Sequence, residues 1–381
     1  MTPPVDDQDD HRLDSFTLFV AGDVMTGRGI DQVLPHPGDP RIYEPYSSSA
    51  LDYVKLAERT SGPIPRGVDD AYIWGDALAA LDRAAPDLRI INLETAVTRR
   101  GTPWPGKGIQ YRMHPDNIPC LTAARIDCCV LANNHVLDWG YTGLEETLAN
   151  LSKAGLRTVG AGADQAAARM PAMFSLPGRG RVLIFAWGAR SSGIPAAWAA
   201  GAGKPGVNLL ENFSERTADR IAEAVQAHRR PGDRVVVSLH WGGNWGYDIP
   251  ETHTRFAHAL IDEAGVDLVY GHSSHHPLGI EVYRGRPVLY GCGDLIDDYE
   301  GITGHARYRV DLALLYLVTL DRMTGKLRRL EMIPLHRQRF RLDTARREDV
   351  DWLCATLDRE CRRLGTGVSC AHDGSLLLDW T

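Results

Sequence analysis

The sequence predicts an α/β protein built as a four-layer α/β/β/α sandwich. Short apolar runs, which are typical of buried strands, alternate with amphipathic helical segments through most of the chain, and a strand-rich region follows them. Five of the apolar runs also end at a polar side chain that is able to bind a metal ion. The chain has 381 residues, of which 44% are hydrophobic, so it is long enough to bury a large core.

The first residues differ from the rest in composition. Residues 1–14 are acidic and include Pro3 and Pro4, and we predict that residues 1–15 form a disordered acidic tail. They lack the basic start and apolar stretch of a signal peptide, and no run in the chain approaches the ~20 apolar residues of a membrane span. These features predict a cytoplasmic protein without a membrane partner. The net charge of −7 argues against a nucleic-acid partner.

Elements can be assigned in order along the first half. Residues 16–21 are an apolar run closed by Gly22, which favours a strand. Residues 35–65 are rich in Pro, Ser and Gly and predict a long loop. Apolar residues recur at helical spacing over residues 69–84, where Asp69 or Asp70 is available as an N-cap. Further strands are predicted at 88–93 and 128–131, and further helices at 115–124 and 144–154.

The second half continues the alternation and then becomes strand-rich. Strands are predicted at 182–186, 234–239 and 266–270, helices at 214–228 and 252–264, and a surface loop at 196–206. Residues 279–283, 287–290, 312–320 and 327–333 follow as strands, with a hairpin turn at Arg284-Gly285. We predict a helix at 346–364. Residues 16–340 are thus predicted to form one catalytic domain, and residues 341–381 a C-terminal helix and tail that pack on it.

The seven cysteines include no CxxC pair. In a chain predicted to be cytoplasmic, they are expected to be reduced and mostly buried. A disulfide that joins Cys354 or Cys361 to Cys370 is the alternative.

Carboxylate side chains end two of the predicted strands. Asp23 follows Gly22, where it is able to bind a cation or act as a base, and a turn residue or a helix N-cap is the alternative. Glu94 ends the strand at 88–93 and is able to bridge two metal ions through its two oxygens. A cap for the following segment is the alternative interpretation of Glu94.

Amide and imidazole groups end three further strands. Asn134 offers a neutral ligand and His135 a proton donor, unless the two form an Asx-turn with a packed histidine. His240 is either a ligand or a core histidine. His272 and His275, with a third histidine adjacent, suit zinc, manganese or iron, and a surface cluster is the alternative. Because strand ends can meet at one edge of a sheet, we predict one metal site from all of these blocks.

Taken together and in this order, the blocks resemble the CapA family, the poly-γ-glutamate synthesis proteins related to calcineurin-like metallophosphoesterases. The resemblance covers residues 16–335. It rests on six motifs, which are GDVM at 22–25, NLET at 92–95, NNH at 133–135, HWG at 240–242, GHSSH at 271–275 and GDLIDDY at 293–299. It implies a calcineurin-like metallophosphoesterase fold with a two-metal centre.

The resemblance also implies a role for each matched residue. Asp23 and His275 map to one metal, and Glu94 maps between the two metals. The ligands that map to the other metal are Asn134, His240 and His272, while His135 maps to the catalytic histidine of the phosphoesterases. The implied cofactor is one or two divalent ions of manganese, iron or zinc, with magnesium as a further candidate.

The chain departs from the phosphoesterases at two positions. Met25 stands where they carry a histidine, and the histidines of the GHSSH block are three residues apart rather than two. One metal therefore loses a ligand, which weakens that site or leaves Asp23 available as a base.

Basic and aromatic residues near these blocks are candidates for substrate binding. Arg28, Lys107 and Arg112 would suit a substrate carboxylate, and a solvated basic loop is the alternative. Trp139 and Trp241 are candidates for a substrate pocket, although such tryptophans often anchor a core or a loop. The predicted partner is a peptide or another small anionic substrate, and the oligomeric state is left open.

Several functions are compatible with these residues. Some soluble CapA-like proteins are similar to the epimerases of lasso-peptide clusters, and we predict Cα epimerisation of a peptide residue as the first hypothesis. Asp23 would be the base and His135 or His305 the opposing acid, while a metal stabilises the enolate-like intermediate. The alternatives are a metal-dependent phosphoesterase or amide hydrolase, a poly-γ-glutamate synthesis protein, and a peptide-binding or assembly protein whose metal is structural or absent.

Overall fold

Two β-sheets that face each other form the centre of the computed structural model, which describes residues 14–381. Helices cover the outer face of each sheet, so the predicted four-layer α/β/β/α sandwich is confirmed. This layering is the one that the resemblance to metallophosphoesterases implies. The predicted tail lies outside the described residues except for residues 14 and 15, and Ser15 already begins the first strand.

The strands of the described residues are numbered in chain order. They are β1 (Ser15–Val24), β2 (Arg41–Glu44), β3 (Ser47–Ser49), β4 (Leu88–Leu93), β5 (Ala96–Val97), β6 (Arg112–Met113), β7 (Cys128–Val130), β8 (Arg157–Val159), β9 (Ala161–Gly162), β10 (Ala172–Leu176), β11 (Gly180–Ala189), β12 (Gly206–Val207), β13 (Leu209–Leu210), β14 (Arg234–His240), β15 (Leu268–His272), β16 (Ile280–Tyr283), β17 (Arg286–Leu289), β18 (Asp294–Ile296), β19 (Leu312–Asp321), β20 (Leu327–Gln338), β21 (Arg341–Thr344), β22 (Gly367–Cys370) and β23 (Leu376–Asp379).

The α-helices of the same residues are α1 (Leu51–Ser61), α2 (Asp76–Ala84), α3 (Pro119–Ala123), α4 (Gly140–Lys153), α5 (Gln165–Arg169), α6 (Glu215–His228), α7 (Glu251–Asp262) and α8 (Arg347–Arg362). Short 3₁₀ turns occupy Tyr72–Trp74, Pro115–Asn117, Arg190–Ser192, Ala196–Trp198 and Ala306–Tyr308. None of the helices in the described part of the chain combines the length and apolar character that a bilayer span requires.

Each main sheet has a parallel part that delivers its strand ends to one edge. The ten-stranded sheet runs β22-β23-β20-β19-β1-β4-β7-β8, with β18 beside β1 and β21 beside β20. Its strands β1, β4, β7 and β8 are parallel. The seven-stranded sheet runs β10-β11-β14-β15-β17-β16, with β13 beside β11, and its strands β11, β14, β15 and β17 are parallel.

Apolar cores fill the three interfaces between the layers. Leu18 and Val20 of β1 pack between the sheets with Ile184 of β11, and α8 closes one side of this core. Phe19 and Ala21 point to the opposite face of β1, where they pack with α1 to α4. Helices α6 and α7 cover the outer face of the seven-stranded sheet. The alternation along β1 is the two-residue period of a strand buried on both faces.

The structure corrects the sequence prediction in a few segments. Residues 35–65 are not a continuous loop, because they contain the β2–β3 hairpin and α1. The predicted helix at 69–84 is a 3₁₀ turn followed by α2, and Gly75 rather than Asp69 or Asp70 is the N-cap of α2. The predicted helix at 115–124 divides into a 3₁₀ turn and α3. Part of the predicted loop at 196–206 forms a 3₁₀ turn and β12 begins at its end.

The C-terminal region and the cysteines can be compared in the same way. Residues 341–381 supply strands β21 to β23 to the ten-stranded sheet in addition to α8. The predicted hairpin at Arg284-Gly285 joins β16 and β17. All seven cysteines are free, so none of the predicted alternatives for a disulfide is formed.

Candidate metal centre

The strand ends of both sheets meet at one place. Asp23 of β1 stands level with Asn92 of β4, and His240 of β14 stands level with His272 of β15. All four residues are buried. Parallel strands deliver their C-terminal side chains to the same edge of a sheet, and here the two edges face each other. The site is therefore built at the junction of the two sheets.

Two groups of three ligand-type side chains share Asp23. The first comprises Asp23, His240 and His272, and the second comprises Asp23, His275 and Asp294, with the potential ligand atoms of each group within 4.8 Å of one another. The Asp23 Oδ1 atom lies 3.9 Å from Nδ1 of His240 and 3.7 Å from Nδ1 of His272. In the second group, Nδ1 of His275 lies 2.9 Å from Oδ1 of Asp294. The arrangement resembles two adjacent ion sites with one common carboxylate.

Outer hydrogen bonds fix the orientation of the first group. The Asn92 amide donates to Asp23 Oδ1 at 2.7 Å, and the Ser273 backbone N–H donates to Asp23 Oδ2 at 3.2 Å. Nε2 of His240 lies 3.0 Å from Oδ1 of Asn134, so Asn134 contacts the ring at the nitrogen that faces away from Asp23. Nε2 of His272 lies 2.7 Å from the Ser238 hydroxyl. Both rings therefore direct Nδ1 toward Asp23, and such outer contacts select the tautomer of a ligating histidine.

Three carboxylates are buried together at this junction. Burial, followed by repulsion from Asp294, raises the pKa of Asp23 to about 7. Burial and the charge of Asp23 raise the pKa of Glu94 well above its ordinary value. Glu94 Oε2 and Asp294 Oδ2 have no hydrogen-bond partner. A buried carboxylate oxygen without a partner is costly, and a bound cation removes that cost.

The imidazoles complete a donor set that fits a divalent cation. Burial lowers the pKa of His272 to about 3, and burial followed by repulsion from His272 lowers that of His240 well below its ordinary value. Both rings are therefore neutral at pH 7, which is the state in which histidine binds metal. A mixed set of carboxylate oxygens and imidazole nitrogens suits manganese, iron or zinc.

A cavity of about 330 Å³ opens onto this centre. Its lining residues are Glu94, Lys107, Gly108, Ile109, Asn134, His135, Asn244, Ser273, His275 and Tyr299. Larger concavities occur elsewhere on the described surface, but this one is lined by His275 of the second ligand group and by Asn134, which contacts His240 of the first. We therefore regard it as the candidate substrate cavity.

His135 faces the cavity as a member of an acid–base pair. Its Nδ1 atom lies 2.6 Å from Asp138 Oδ2, and its Nε2 atom lies 3.6 Å from Glu94 Oε1. Burial lowers the pKa of His135 to about 4, so the ring is neutral at pH 7. Lys107 Nζ lies 2.6 Å from Asp138 Oδ1 and 2.9 Å from His135 Nδ1. The side chains thus form a compact group at the cavity wall.

All six predicted metal-binding residues come together at this junction. These residues are Asp23, Glu94, Asn134, His240, His272 and His275. The division between two metals differs from the implied one, because Asp23 belongs to both groups, Glu94 belongs to neither, and Asn134 contacts the His240 ring. Asp294 was missed, although its Gly293-Asp294 pair follows an apolar run in the same way as Gly22-Asp23. It adds a carboxylate to the ligand group that contains His275.

Several predicted substrate contacts have other roles in the structure. Arg28 is buried and is bound by Glu44 and Asp298, so it cannot contact substrate. The Trp241 indole is buried, donates to the Tyr290 carbonyl at 2.9 Å and stacks on a neighbouring histidine. Both side chains are therefore occupied by contacts inside the core rather than open to a substrate.

Arg112, Trp139 and His305 also lie outside the cavity lining. The Arg112 guanidinium lies 3.7 Å from the centroid of the Trp139 ring, and this pair packs beside the site without reaching it. His305 stacks on Trp245, with the ring centroids 3.7 Å apart. Of the predicted substrate-binding residues, Lys107 alone lines the cavity.

Comparison with known proteins agrees with the arrangement of these motifs. The family model described as bacterial capsule synthesis protein PGA_cap matches residues 17–299. The chain is 50% identical over 364 residues to a probable polyglutamine synthesis accessory protein of Mycobacterium tuberculosis, which covers 95% of this chain and 96% of the relative. It is 27% identical over 286 residues to the PGA biosynthesis protein CapA of Bacillus subtilis. That match covers 75% of this chain and 64% of the relative.

A solved structure also resembles the fold over most of its length. It is described as a novel phosphatase from Mycoplasma pneumoniae, and it matches with a TM-score of 0.45 at 11% sequence identity. The match covers 88% of this chain and 96% of that chain.

Proposed function

The chain belongs to the bacterial capsule synthesis protein PGA_cap family, and from that premise we propose that it is a metal-dependent hydrolase of amide bonds in a glutamyl or glutaminyl polymer. The observation that carries the proposal is the pair of ligand groups that share Asp23, together with a cavity lined by both His275 of the second group and His135. The names of the relatives, which refer to polyglutamine synthesis and PGA biosynthesis, support the substrate class.

The residues of the site suggest a division of labour. The residues of the two groups, Asp23, His240, His272, His275 and Asp294, would hold a divalent cation, which would supply Lewis-acid polarisation of a scissile carbonyl. Asp138 accepts a hydrogen bond from Nδ1–H of His135, which leaves Nε2 unprotonated and free to take a proton from the attacking water. The same Nε2–H then gives that proton to the leaving nitrogen as the C–N bond breaks. Lys107, which is paired with Asp138 at the cavity wall, places a positive charge where it attracts a carboxylate of the polymer.

The small number of basic side chains in the cavity lining favours an amide substrate over a phosphate ester. Lys107 is the one lysine or arginine among the cavity-lining residues, and it is already paired with Asp138. Arg28 and Arg112, the other basic residues predicted for the site, do not line the cavity, and Arg28 is held by Glu44 and Asp298. A phosphate monoester carries nearly two negative charges, and apart from a bound cation only Lys107 would be available to neutralise them. A neutral amide flanked by single carboxylates needs less positive charge.

The geometry gives little support to Cα epimerisation, which the sequence suggested first. Asp23 is shared by both ligand groups and accepts hydrogen bonds from Asn92 and Ser273, so it is not free to act as a base. His305 is stacked on Trp245 outside the cavity lining and is not placed opposite Asp23 as an acid. An epimerase needs two such groups on opposite faces of one carbon.

The proposal is tested with purified protein, Mn²⁺ and defined oligomers of γ-linked glutamate and α-linked glutamine. We expect shorter chains by mass spectrometry, at least 100-fold less product with His135→Ala or His272→Ala, and unchanged product with His258→Ala. His258 is a suitable control because it is a histidine of α7 that pairs with Glu281 of β16 and belongs to neither ligand group. Turnover of 4-nitrophenyl phosphate but no oligomer would favour a phosphoesterase. No turnover of any substrate by the metal-loaded protein would favour an assembly role.

A further inference from the structure

We infer that Arg28 is a positioning residue that holds His135 and His275 in place through the rings of Tyr111 and Tyr299. The inference rests on the proposed function for its kinetic test only. Its principal test is metal affinity, which does not require that the substrate be known.

The first step concerns the charged contacts of Arg28. Its Nη1 atom donates to Glu44 Oε1 at 2.9 Å, while Nε and Nη2 donate to the two carboxylate oxygens of Asp298, the former at 3.1 Å. The backbone N–H of Gly29 also donates to Asp298, at 2.9 Å. The side chain of Arg28 is 1% exposed. The guanidinium is therefore fixed by its edges on two sides and has no access to a ligand.

The second step concerns the flat faces of the same guanidinium. Its central carbon lies 3.8 Å from the centroid of the Tyr53 ring, 4.5 Å from that of Tyr111 and 5.7 Å from that of Tyr299. These distances fall within the range of attractive cation–π contacts. The hydroxyl oxygens of Tyr111 and Tyr299 lie 3.1 Å apart, so the two rings are also joined to each other. Arg28 thus fixes the position of both rings.

The third step links these rings to the site. Tyr111 packs edge-to-face against His135 with ring centroids 4.5 Å apart, and Tyr299 packs edge-to-face against His275 at 5.2 Å. His135 is the proposed proton carrier, and His275 belongs to the second ligand group. Arg28 is therefore linked to each histidine through one tyrosine ring, to His135 through Tyr111 and to His275 through Tyr299. Small displacements of such groups reduce catalysis strongly.

The choice of variant follows from the buried charges. Arg28→Ala would leave Glu44 and Asp298 without a counter-charge, and the protein would then be expected to unfold. Arg28→Lys keeps one positive charge but loses the planar fork and the stacking on the tyrosines. Arg89→Lys is a matched control. Arg89 is also buried, donates to the Ala124 carbonyl at 2.7 Å and lies at the opposite end of β4 from the site.

The experiment measures Mn²⁺ affinity by calorimetry on folded variants whose thermal transitions are recorded. We expect Arg28→Lys to weaken binding about tenfold, which is typical when the support of a metal ligand is lost, and Arg89→Lys to change it by less than about twofold. With substrate, we expect kcat to fall about tenfold and KM to stay within about twofold, because Arg28 does not touch substrate. Equal behaviour of the two variants, or a rise in KM alone, would overturn the inference.

A double-mutant cycle tests the route through Tyr299. If Arg28 acts through that ring, Arg28→Lys should weaken Mn²⁺ binding by less than about twofold in a Tyr299→Leu background. Independent losses that simply multiply would contradict the route. If wild-type protein turns over no substrate, the proposed function fails, but these affinities still decide the role of Arg28.

Discussion

Asp294 and Asp23 place their carboxylates next to His275 in the second ligand group. We predict that Asp294→Asn weakens Mn²⁺ or Zn²⁺ binding by about 10- to 100-fold, because the amide has the same shape but cannot supply the negative charge. Calorimetric titration of the purified variant measures this directly.

Asp31→Asn serves as the control for that measurement. Asp31 is a buried carboxyl outside both ligand groups, and it accepts hydrogen bonds from the backbone of His114 and Gly38 and from Asn117. Its loss should lower stability but leave metal affinity unchanged. If Asp294→Asn bound metal as tightly as Asp31→Asn does, Asp294 would not be a ligand.

His253 allows a pH prediction at a residue outside the metal centre. Its ring is stacked on Trp241 at 4.4 Å and meets Phe213 edge-on at 4.6 Å. Burial in this apolar setting lowers its pKa to about 4. Since the folded protein favours the neutral ring, this stability is present above the unfolded pKa near 6.5 and is lost as pH falls toward 4. The loss should be about 2 kcal/mol at pH 5 relative to pH 7.

The variant His253→Phe keeps the stacking and removes the titration. Its free energy of unfolding, measured by urea denaturation, should therefore fall less than that of wild type between pH 7 and pH 5. Identical pH dependence in the two proteins would show that His253 does not titrate in this window.

Individual residues were predictable where local context determines their position. Asp23 and His240 each lie at the C-terminal end of an apolar strand, and the strand pattern alone therefore predicts that both side chains lie at the edge of a sheet. Arg28 could not be interpreted in this way, because its role depends on Glu44 and Asp298, which lie 16 and 270 residues away in the chain. A basic residue near a motif does not reveal whether its charge is already paired.

The close approach of β1 and the segment before β18 is a feature of elements. A Cβ atom on Gly22 would lie 1.8 Å from the Gly293 carbonyl oxygen, a backbone atom that cannot move aside alone. We predict that Gly22→Ala costs about 3 kcal/mol and weakens metal binding, because it separates the strand ends that carry Asp23 and Asp294.

Chemical denaturation of Gly22→Ala measures that cost, with Gly243→Ala as the control. Gly243 lies on the loop after β14 and has open space where its Cβ would be, without a positive φ. The control should change stability by less than about 0.5 kcal/mol. A tolerated Gly22→Ala would mean that β1 and β18 are less tightly held than the structure indicates.

Helix α1 shows why some elements could not be predicted. It lies in a Pro- and Ser-rich region, begins after Ala50 without a side-chain cap, and buries Tyr53, Val54 and Ala57. A helix this short is stabilised by tertiary packing rather than by its own sequence. By contrast, β4 and β14 are rich in apolar residues and buried along their whole length, and their predicted bounds agree with the structure to within one residue.

At the scale of the whole molecule, the alternation of strands and helices was enough to predict four layers. What the pattern could not supply is the meeting of the two sheets, because the pairing of Asp23 with histidines of the other sheet is a long-range contact. The ten-stranded sheet supplies Asp23 and Asp294, and the seven-stranded sheet supplies His240 and His272. The motifs that resemble CapA implied this convergence, and in the structure the ligand groups do combine residues of both sheets.

A bound ion would therefore join the two sheets, and we predict that it stabilises the whole fold. Without it, the buried carboxylates of Asp23, Glu94 and Asp294 repel one another. Ligand at 100 times its dissociation constant adds about 2.7 kcal/mol to the free energy of unfolding, which should raise Tm by about 4 °C for a chain of this size.

Differential scanning calorimetry with EDTA and with Mn²⁺ measures this shift. His272→Ala should abolish the shift because it removes a ligand from the seven-stranded sheet, whereas His258→Ala on α7 should retain it in full. A wild-type Tm that is the same with and without Mn²⁺ would mean that no ion connects the sheets. The cation would then have no structural role, and the proposed hydrolase chemistry would lose its Lewis acid as well.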